Sequence, residues 1–397
     1  EGCRMISNEH ISDVFVSIFQ TDAEWISSAP GRVNIIGEHT DYNGGYVLPA
    51  AINREVKMAA SLRGDNRLFL YSEYHREMYE TLISTKIAPP PQKSWHNYFL
   101  GVAEQFQKKH LPVPGMNVLI SGDVPLGAGL SSSAAYEVCA ATLLNTISEA
   151  NLAPREIALL AQAAEHGDFV GVKCGIMDQY ISAMALPDHA LLIDCHTLDA
   201  TPVPFNSRKA SIAIINSMKH RKLVGSEYNR RRAECEEGLR LISEWSKKSF
   251  SSLRHIPSEV FDRFKEQLPL DVRKRLRHNL TENDRVRACV QFFACDNFKE
   301  VGHMLYASHA SLRDDFEVSC AELDAIVDIA SRCEGVYGCR MTGAGFGGCA
   351  LALVAPEKVE SFKSRMIEEY NRMFSKTPEI YITPPSAGAN VLRKKNG

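Results

Sequence analysis

The sequence predicts an α+β fold of two domains, and three observations carry that reading. The chain has 397 residues, and at about 150 residues per domain that length suits two compact units. The C-terminal part reads strand, helix, strand over 349–355, 356–374 and 379–383, an ending that suits an α+β sandwich. The first half alternates short apolar runs with Gly/Pro turns, whereas 219–328 is mostly helical and rich in polar residues.

Taken in order, Leu68-Phe69-Leu70-Tyr71 and Val118-Leu119-Ile120 read as strands. A helix over 154–167 opens on Pro-Arg-Glu and repeats Ile157, Leu160 and Ala164 at helical spacing. Ala190-Leu191-Leu192-Ile193 reads as a buried strand, followed by Ile212-Ala213-Ile214-Ile215. The terminal helix buries Val359, Phe362, Met366 and Tyr370, which recur every three or four residues along one face. Pro202 and Pro204 interrupt the pattern near 195–210, which divides the chain into domains at 1–200 and 201–397.

Bulk composition is that of an ordinary globular protein: 45% hydrophobic and 23% charged. Lys and Arg total 45 against 48 Asp and Glu, a net charge of -3, so nothing points to a polyanionic partner such as nucleic acid. The densest basic run, Arg273-Lys274-Arg275-Leu276-Arg277-His278, is flanked by Asp271 and Glu282 and reads as a solvated helix face. The eleven cysteines form no C-x-x-C pair and read as reduced, mostly buried thiols of a cytoplasmic protein. No apolar run approaches the roughly 18 residues of a membrane span, and the N-terminal stretch lacks a signal-peptide pattern.

The chemistry concentrates in three segments. The first is Gly127-Ala128-Gly129-Leu130-Ser131-Ser132-Ser133, between a strand ending near Ser121 and a helix repeating Cys139, Leu143 and Ile147. Strand, Gly-rich turn, helix presents free backbone N–H groups and the positive end of a helix dipole to an anion. A flexible loop with serine caps is the bland alternative. Gly122 and Gly127 have Walker spacing, but Ala128 stands where that motif needs lysine. No kinase H-R-D or D-F-G trio occurs.

The second segment, Arg340-Met341-Thr342-Gly343-Ala344-Gly345-Phe346-Gly347-Gly348, satisfies G-x-G-x-x-G, but a strand follows it. A dinucleotide fingerprint needs a helix there. A loop that leaves room for a substrate or for the first segment fits better. The third, Pro30-Gly31-Arg32-Val33-Asn34-Ile35-Ile36-Gly37-Glu38-His39-Thr40-Asp41-Tyr42, packs donors and acceptors densely, as a hydroxyl-rich ligand requires. Alone, it could equally be a polar turn with a structural histidine.

Together these segments, with Cys174-Gly175-Ile176-Met177-Asp178-Gln179 and the stretches 225–232 and 308–319, resemble the GHMP small-molecule kinases and, within them, the galactokinase family. The resemblance runs from about Ala29 to the C-terminal strand; Ala344 departs from it, where many members have a third glycine. It implies a two-domain GHMP kinase fold, with a ribosomal S5 domain 2-like N-terminal domain and a ferredoxin-like C-terminal domain. It also implies transfer of the ATP γ-phosphate to the anomeric hydroxyl of galactose, in the Leloir pathway, by a monomer using ATP and Mg²⁺. By that resemblance Glu38, His39, Thr40, Asp41, Gly175 and Tyr228 bind the sugar. Gly127, Ala128, Gly129, Leu130, Ser131, Ser132 and Ser133 cradle the phosphates, with Ser72 and Trp95 at the nucleotide. Ser133 and Glu165 hold the metal, and Asp178 and Arg32 face the reacting hydroxyl. The bland readings are a solvated Glu165, an Asp178 that merely complements a helix dipole and a core Tyr228.

Phosphoryl transfer is mostly positioning and charge stabilisation. A carboxylate held against an arginine is a weaker base, so Asp178 can orient the hydroxyl while Arg32 stabilises the transition state. Two alternatives stand beside this. One is a kinase for galacturonate, arabinose or N-acetylgalactosamine, although an acidic sugar would be repelled by Glu38 and Asp41. The other is a non-catalytic galactose and ATP sensor acting on transcription, whose hallmark, a disrupted ATP loop, is not met by Ser131-Ser132-Ser133-Ala134.

Overall fold

The computed structural model describes residues 6–83, 87–90, 92–219 and 224–394. In chain order these form α1 (Asn8–Phe19), β1 (Trp25–Asn34), β2 (Tyr46–Val47), β3 (Pro49–Leu62), β4 (Arg67–Ser72), β5 (Glu77–Leu82), α2 (His96–Lys108) and β6 (Met116–Gly122). Then come α3 (Ser132–Ile147), α4 (Pro154–His166), α5 (Met177–Met184), β7 (His189–Asp194), β8 (Asp199–Pro204) and β9 (Ser211–Asn216). The helical stretch holds α6 (Val224–Ser246), α7 (Ser258–Phe264), α8 (Leu270–Ala294), α9 (Phe298–Asp314) and α10 (Ala321–Ser331). The chain closes with β10 (Val336–Thr342), β11 (Cys349–Val354), α11 (Val359–Phe374), β12 (Glu379–Thr383) and β13 (Asn390–Lys394).

Three sheets result. The largest has the order β13-β1-β3-β6-β4-β5, the second β10-β11-β9-β12 and the third β2-β7-β8. β4 buries alternate residues, Leu68, Leu70 and Ser72, as a strand with one covered face must. The edge strand β5 keeps Glu77 and Glu80 outward, charges that discourage further pairing. α3 is apolar nearly all round, with Ala134, Ala135, Val138, Cys139, Leu143 and Leu144 buried. A helix of that kind belongs inside a core, and it fixes the loop at its N-terminus. A second core gathers Ile215, Leu276, Phe316, Met341, Phe362 and Tyr370 around the second sheet.

A single cut at 200/201 does not describe this arrangement. That position lies inside β8, which pairs along its length with β7. The chain's last strand also leaves the C-terminal part: β13 pairs with β1, placing Trp25 opposite Lys394, and so covers an edge that β1 would otherwise expose. The basic run at 273–278 is also not a solvated face. Arg275 is fully buried, donating through Nε to Glu234 at 2.6 Å and through NH2 to Glu317 at 2.8 Å.

Candidate active site

The loop between β6 and α3 turns through left-handed backbone at Gly127, Gly129 and Ser131, with φ of 71, 84 and 59°. Ser131 occupies the N-cap position of α3, yet its side chain makes no capping hydrogen bond. Its hydroxyl donates instead to Asp178 Oδ2 at 2.5 Å. The first N–H groups of α3 therefore keep their donors without a serine cap, as an anion site requires. Ala128 and Leu130 are buried, and the Leu130 carbonyl accepts from the Arg32 amide at 3.0 Å, which pins the loop to β1.

Arg32 is 5% exposed and ties three elements together. Its Nε and NH2 donate to Asp178 Oδ1 and Oδ2 at 2.7 and 2.8 Å, and NH1 donates to the Gly129 carbonyl at 2.8 Å. Asp178 sits in the first turn of α5, where the helix dipole favours its charge. Asp41 is half-buried, and desolvation together with the nearby Asp178 pushes its carboxyl up to about 7. Gly175 passes so close to Asp41 that a Cβ there would lie 1.8 Å from Oδ2, so only glycine fits.

The rest of the sugar signature is structural as much as functional. Glu38 Oε1 accepts from the Thr342 hydroxyl at 2.9 Å and the Gly343 amide at 2.7 Å, with Arg340 3.3 Å away. The second Gly-rich segment is thus the turn of the β10–β11 hairpin, with Thr342 opposite Cys349. No helix follows it, which excludes a dinucleotide fold there, and it closes on the sugar signature rather than on the phosphate loop. Thr40 is fully buried and its hydroxyl lies 2.8 Å from the Gly37 carbonyl and 2.7 Å from the Tyr46 carbonyl, so its proton is committed to the loop itself. His39 Nδ1 and the Tyr42 hydroxyl are 2.8 Å apart. Burial and the neighbouring His278 lower His39 to about 3, which keeps the ring neutral. The Tyr228 ring packs against Tyr42 at 5.1 Å and His39 at 5.9 Å.

Two cavities open on neighbouring residues, and neither is lined by Arg32 or Asp178 themselves. One, of about 760 Å³, is lined by Asp41, Tyr42, Gly175 and Arg232. The other, of about 890 Å³, is lined by Ser72, Trp95, Tyr98, Ser132, Ser133 and Tyr136. In it His75 stacks on Trp95 with ring centroids 6.1 Å apart, an aromatic wall of the kind a purine needs.

Behind Ser133, three helices bring polar groups together in the core. Glu165 on α4 accepts from Gln179 Nε2 at 2.5 Å and from the Cys174 thiol at 3.1 Å, and the Ser133 hydroxyl also reaches it. Glu137 on α3 lies 3.4 Å from the same amide, and its Oε1 has no partner. Burial, and for Glu137 the adjacent Glu165, raises both carboxyls. Glu137, Glu165 and the Ser133 hydroxyl offer oxygen ligands of the kind a hard divalent cation takes, while Gln179 turns its N–H toward both carboxyls. Among the described residues no cluster of three His, Cys, Asp or Glu side chains has metal-binding geometry.

Sequence reasoning named Ser133 and Glu165 but missed Glu137 and Gln179. The signals were present: Glu137 follows Ser133 by one helical turn, and Gln179 is the residue after Asp178. It also missed the service of Ser131 to Asp178, which no local pattern encodes.

The chain matches the galactokinase galactose-binding signature over residues 13–62, the GHMP kinase N-terminal domain over 97–185 and the GHMP kinase C-terminal domain over 288–372. Over 367 residues it is 42% identical to the galactokinase of Chloroflexus aggregans and 43% to that of Chloroflexus aurantiacus, covering 92% of this chain and 93% of each relative. The crystal structure of Lactococcus lactis galactokinase complexed with galactose superposes with a TM-score of 0.90 at 35% identity, over 96% of this chain and 99% of that one. The mevalonate kinase of Methanococcus jannaschii shares the fold, with a TM-score of 0.66 at 19% identity over 91% of this chain and 98% of that one.

Proposed function

The chain belongs to the galactokinase family of the GHMP kinases, and on that premise we propose that it transfers the γ-phosphoryl group of ATP to the anomeric C1 hydroxyl of α-D-galactose, giving galactose 1-phosphate and ADP. The observation that carries this reading is the Arg32 guanidinium, which holds Asp178 with two nitrogens and the phosphate loop with the third. A hydroxyl bound between Asp41 and Asp178 is thereby placed next to an anion site.

In this reading the uncapped N-terminus of α3 and the amides of 127–133 bind the phosphates, and the cavity lined by Ser72 and Trp95 takes the nucleoside. The free oxygen of Glu38, the Asp41 carboxylate and the ring of Tyr228 receive the sugar. His39, Thr40 and Gly175 shape the pocket. Ser133 and Glu165 would hold a magnesium ion, which supplies charge neutralisation at the phosphate oxygens.

Both oxygens of Asp178 already accept charge-assisted or hydroxyl hydrogen bonds, so one of these must give way before either oxygen takes a proton. Asp178 therefore chiefly orients the C1 hydroxyl and receives its proton late. Arg32 opposes the charge that grows between acceptor and phosphoryl group. The test is a panel of sugars with ATP, read by ADP release. Turnover on galactose well above that on glucose, galacturonate and N-acetylgalactosamine is expected. Equal or no turnover on galactose contradicts the proposal.

A further inference from the structure

Helix α8 lies outside the segments that announce the activity, yet one of its faces grips the sugar loop at four points. His278, Asn279, Glu282 and Asn283 fall at helix positions that share a face. The first three are fully buried and Asn283 is 6% exposed. His278 Nε2 lies 3.0 Å from the Glu38 carbonyl and Nδ1 lies 2.9 Å from the Ser311 hydroxyl. Burial lowers His278 to about 4, so the neutral ring donates from Nε2 and accepts at Nδ1. Asn279 Oδ1 accepts from Asn43 Nδ2 at 3.0 Å. Glu282 Oε1 accepts from the Gly37 amide at 3.0 Å. Asn283 Oδ1 accepts from the Tyr46 amide at 2.8 Å.

These contacts act on a strained stretch of backbone. His39 has φ of 62°, a left-handed conformation that is uncommon for residues other than glycine. The Glu38 carbonyl, just before His39, is held by His278. The His39 carbonyl accepts from Asn43 Nδ2 at 2.8 Å, and that same amide donates to Asn279. The loop and helix also approach closely: a Cβ on Gly45 would lie 2.7 Å from Asn283 Oδ1. Both sides of the strained residue are thus fastened to α8, and on either side of it lie the carboxylates of Glu38 and Asp41.

We propose that this face of α8 is a positioning element for sugar binding: it touches no substrate but sets the backbone of 37–46 so that Glu38 and Asp41 meet the sugar hydroxyls. The proposal rests on the reading that those two carboxylates bind the sugar. It gives α8, whose sequence is polar without a recognisable motif, a role in sugar affinity that ATP binding does not share.

The test compares Asn279→Ala, Asn43→Ala and the double variant by calorimetric galactose and ATP binding and by thermal unfolding. Asn43 is half-buried and lies in the loop, so its variant probes the same link should Asn279→Ala fail to fold. Each single change is expected to weaken galactose binding about tenfold with ATP affinity within about twofold, and the double to be no worse than the weaker single. Unchanged galactose affinity in folded variants with only a lower Tm, or equal loss for both ligands, overturns the proposal. Asp41→Ala, run in parallel, separates the two readings. If it abolishes galactose binding while the Asn variants leave galactose affinity unchanged, α8 has no such role. If it leaves galactose binding intact, the sugar site itself is misplaced and the proposal falls with it.

Discussion

Arg32 and Asp178 form a two-pronged ion pair across 146 residues of sequence, with N–O distances of 2.7 and 2.8 Å. The third nitrogen of Arg32 reaches the Gly129 carbonyl, so one side chain sets the spacing between an acidic pocket and an anion loop. Asp178→Asn retains the shape and loses the charge. Its kcat is expected to fall by about a hundredfold or more, with ATP affinity nearly unchanged. Steady-state kinetics with nucleotide binding by calorimetry checks this, and near-normal turnover would sink the assigned role.

Ser131 offers a sharper separation of structure from function. A serine that caps a helix costs about 1 kcal/mol on truncation to alanine, but this one points at Asp178 rather than at the α3 amides. Ser131→Ala is therefore expected to leave the urea midpoint where it is and to reduce kcat about tenfold. A clear loss of stability with normal turnover would mark it as a cap.

Asp41 makes the site sensitive to pH. Its carboxyl titrates near 7 when folded and near 4 when unfolded, so the folded state holds the proton more tightly. Stability of the sugar-free protein should then fall as pH rises from about 4 to 7 and level off above, by at most about 4 kcal/mol from this group. Asp41→Asn should flatten that fall. Sugar hydroxyls that donate to the ionised form should also release a fraction of a proton on galactose binding near pH 6.5, seen as a buffer-dependent heat. No buffer dependence in the wild type would remove Asp41 from the site.

The buried pair Glu137 and Glu165 predicts opposite responses with and without a cation. Two like charges held in the core destabilise each other until a cation joins them. Glu137→Gln is expected to raise the Tm of the metal-free protein at pH 8 and to shrink the further rise that Mn²⁺ with ADP produces. Glu165→Gln should weaken the Mn²⁺ signal by electron paramagnetic resonance. Unaltered Mn²⁺ binding in both variants would contradict the assignment of Ser133 and Glu165.

Much of this was legible because it is local. Glycine and serine runs between a strand and a helix announce an anion loop whatever the tertiary structure does, and β4, β6, β7, β9, β11 and β12 lie where apolar runs put them. What the sequence withheld depends on partners far along the chain. Arg275 looks like a surface arginine until Glu234 and Glu317 close over it. β13 is a short run whose assignment follows only from the vacant edge of β1. His278, Asn279, Glu282 and Asn283 carry no motif, and their meaning lies in a loop some 240 residues earlier. Polar residues inside a helix are ambiguous until their hydrogen-bond partners are known.

The most direct measurement is the identity of the phosphorylated product. With ATP and galactose, ³¹P NMR of the reaction mixture should show a new phosphomonoester coupled to the anomeric proton, formed in step with ADP and lost in Arg32→Ala. Phosphate on any other hydroxyl, or ADP released without a sugar phosphate, would contradict the account in which Arg32 joins Asp178 to the phosphate loop.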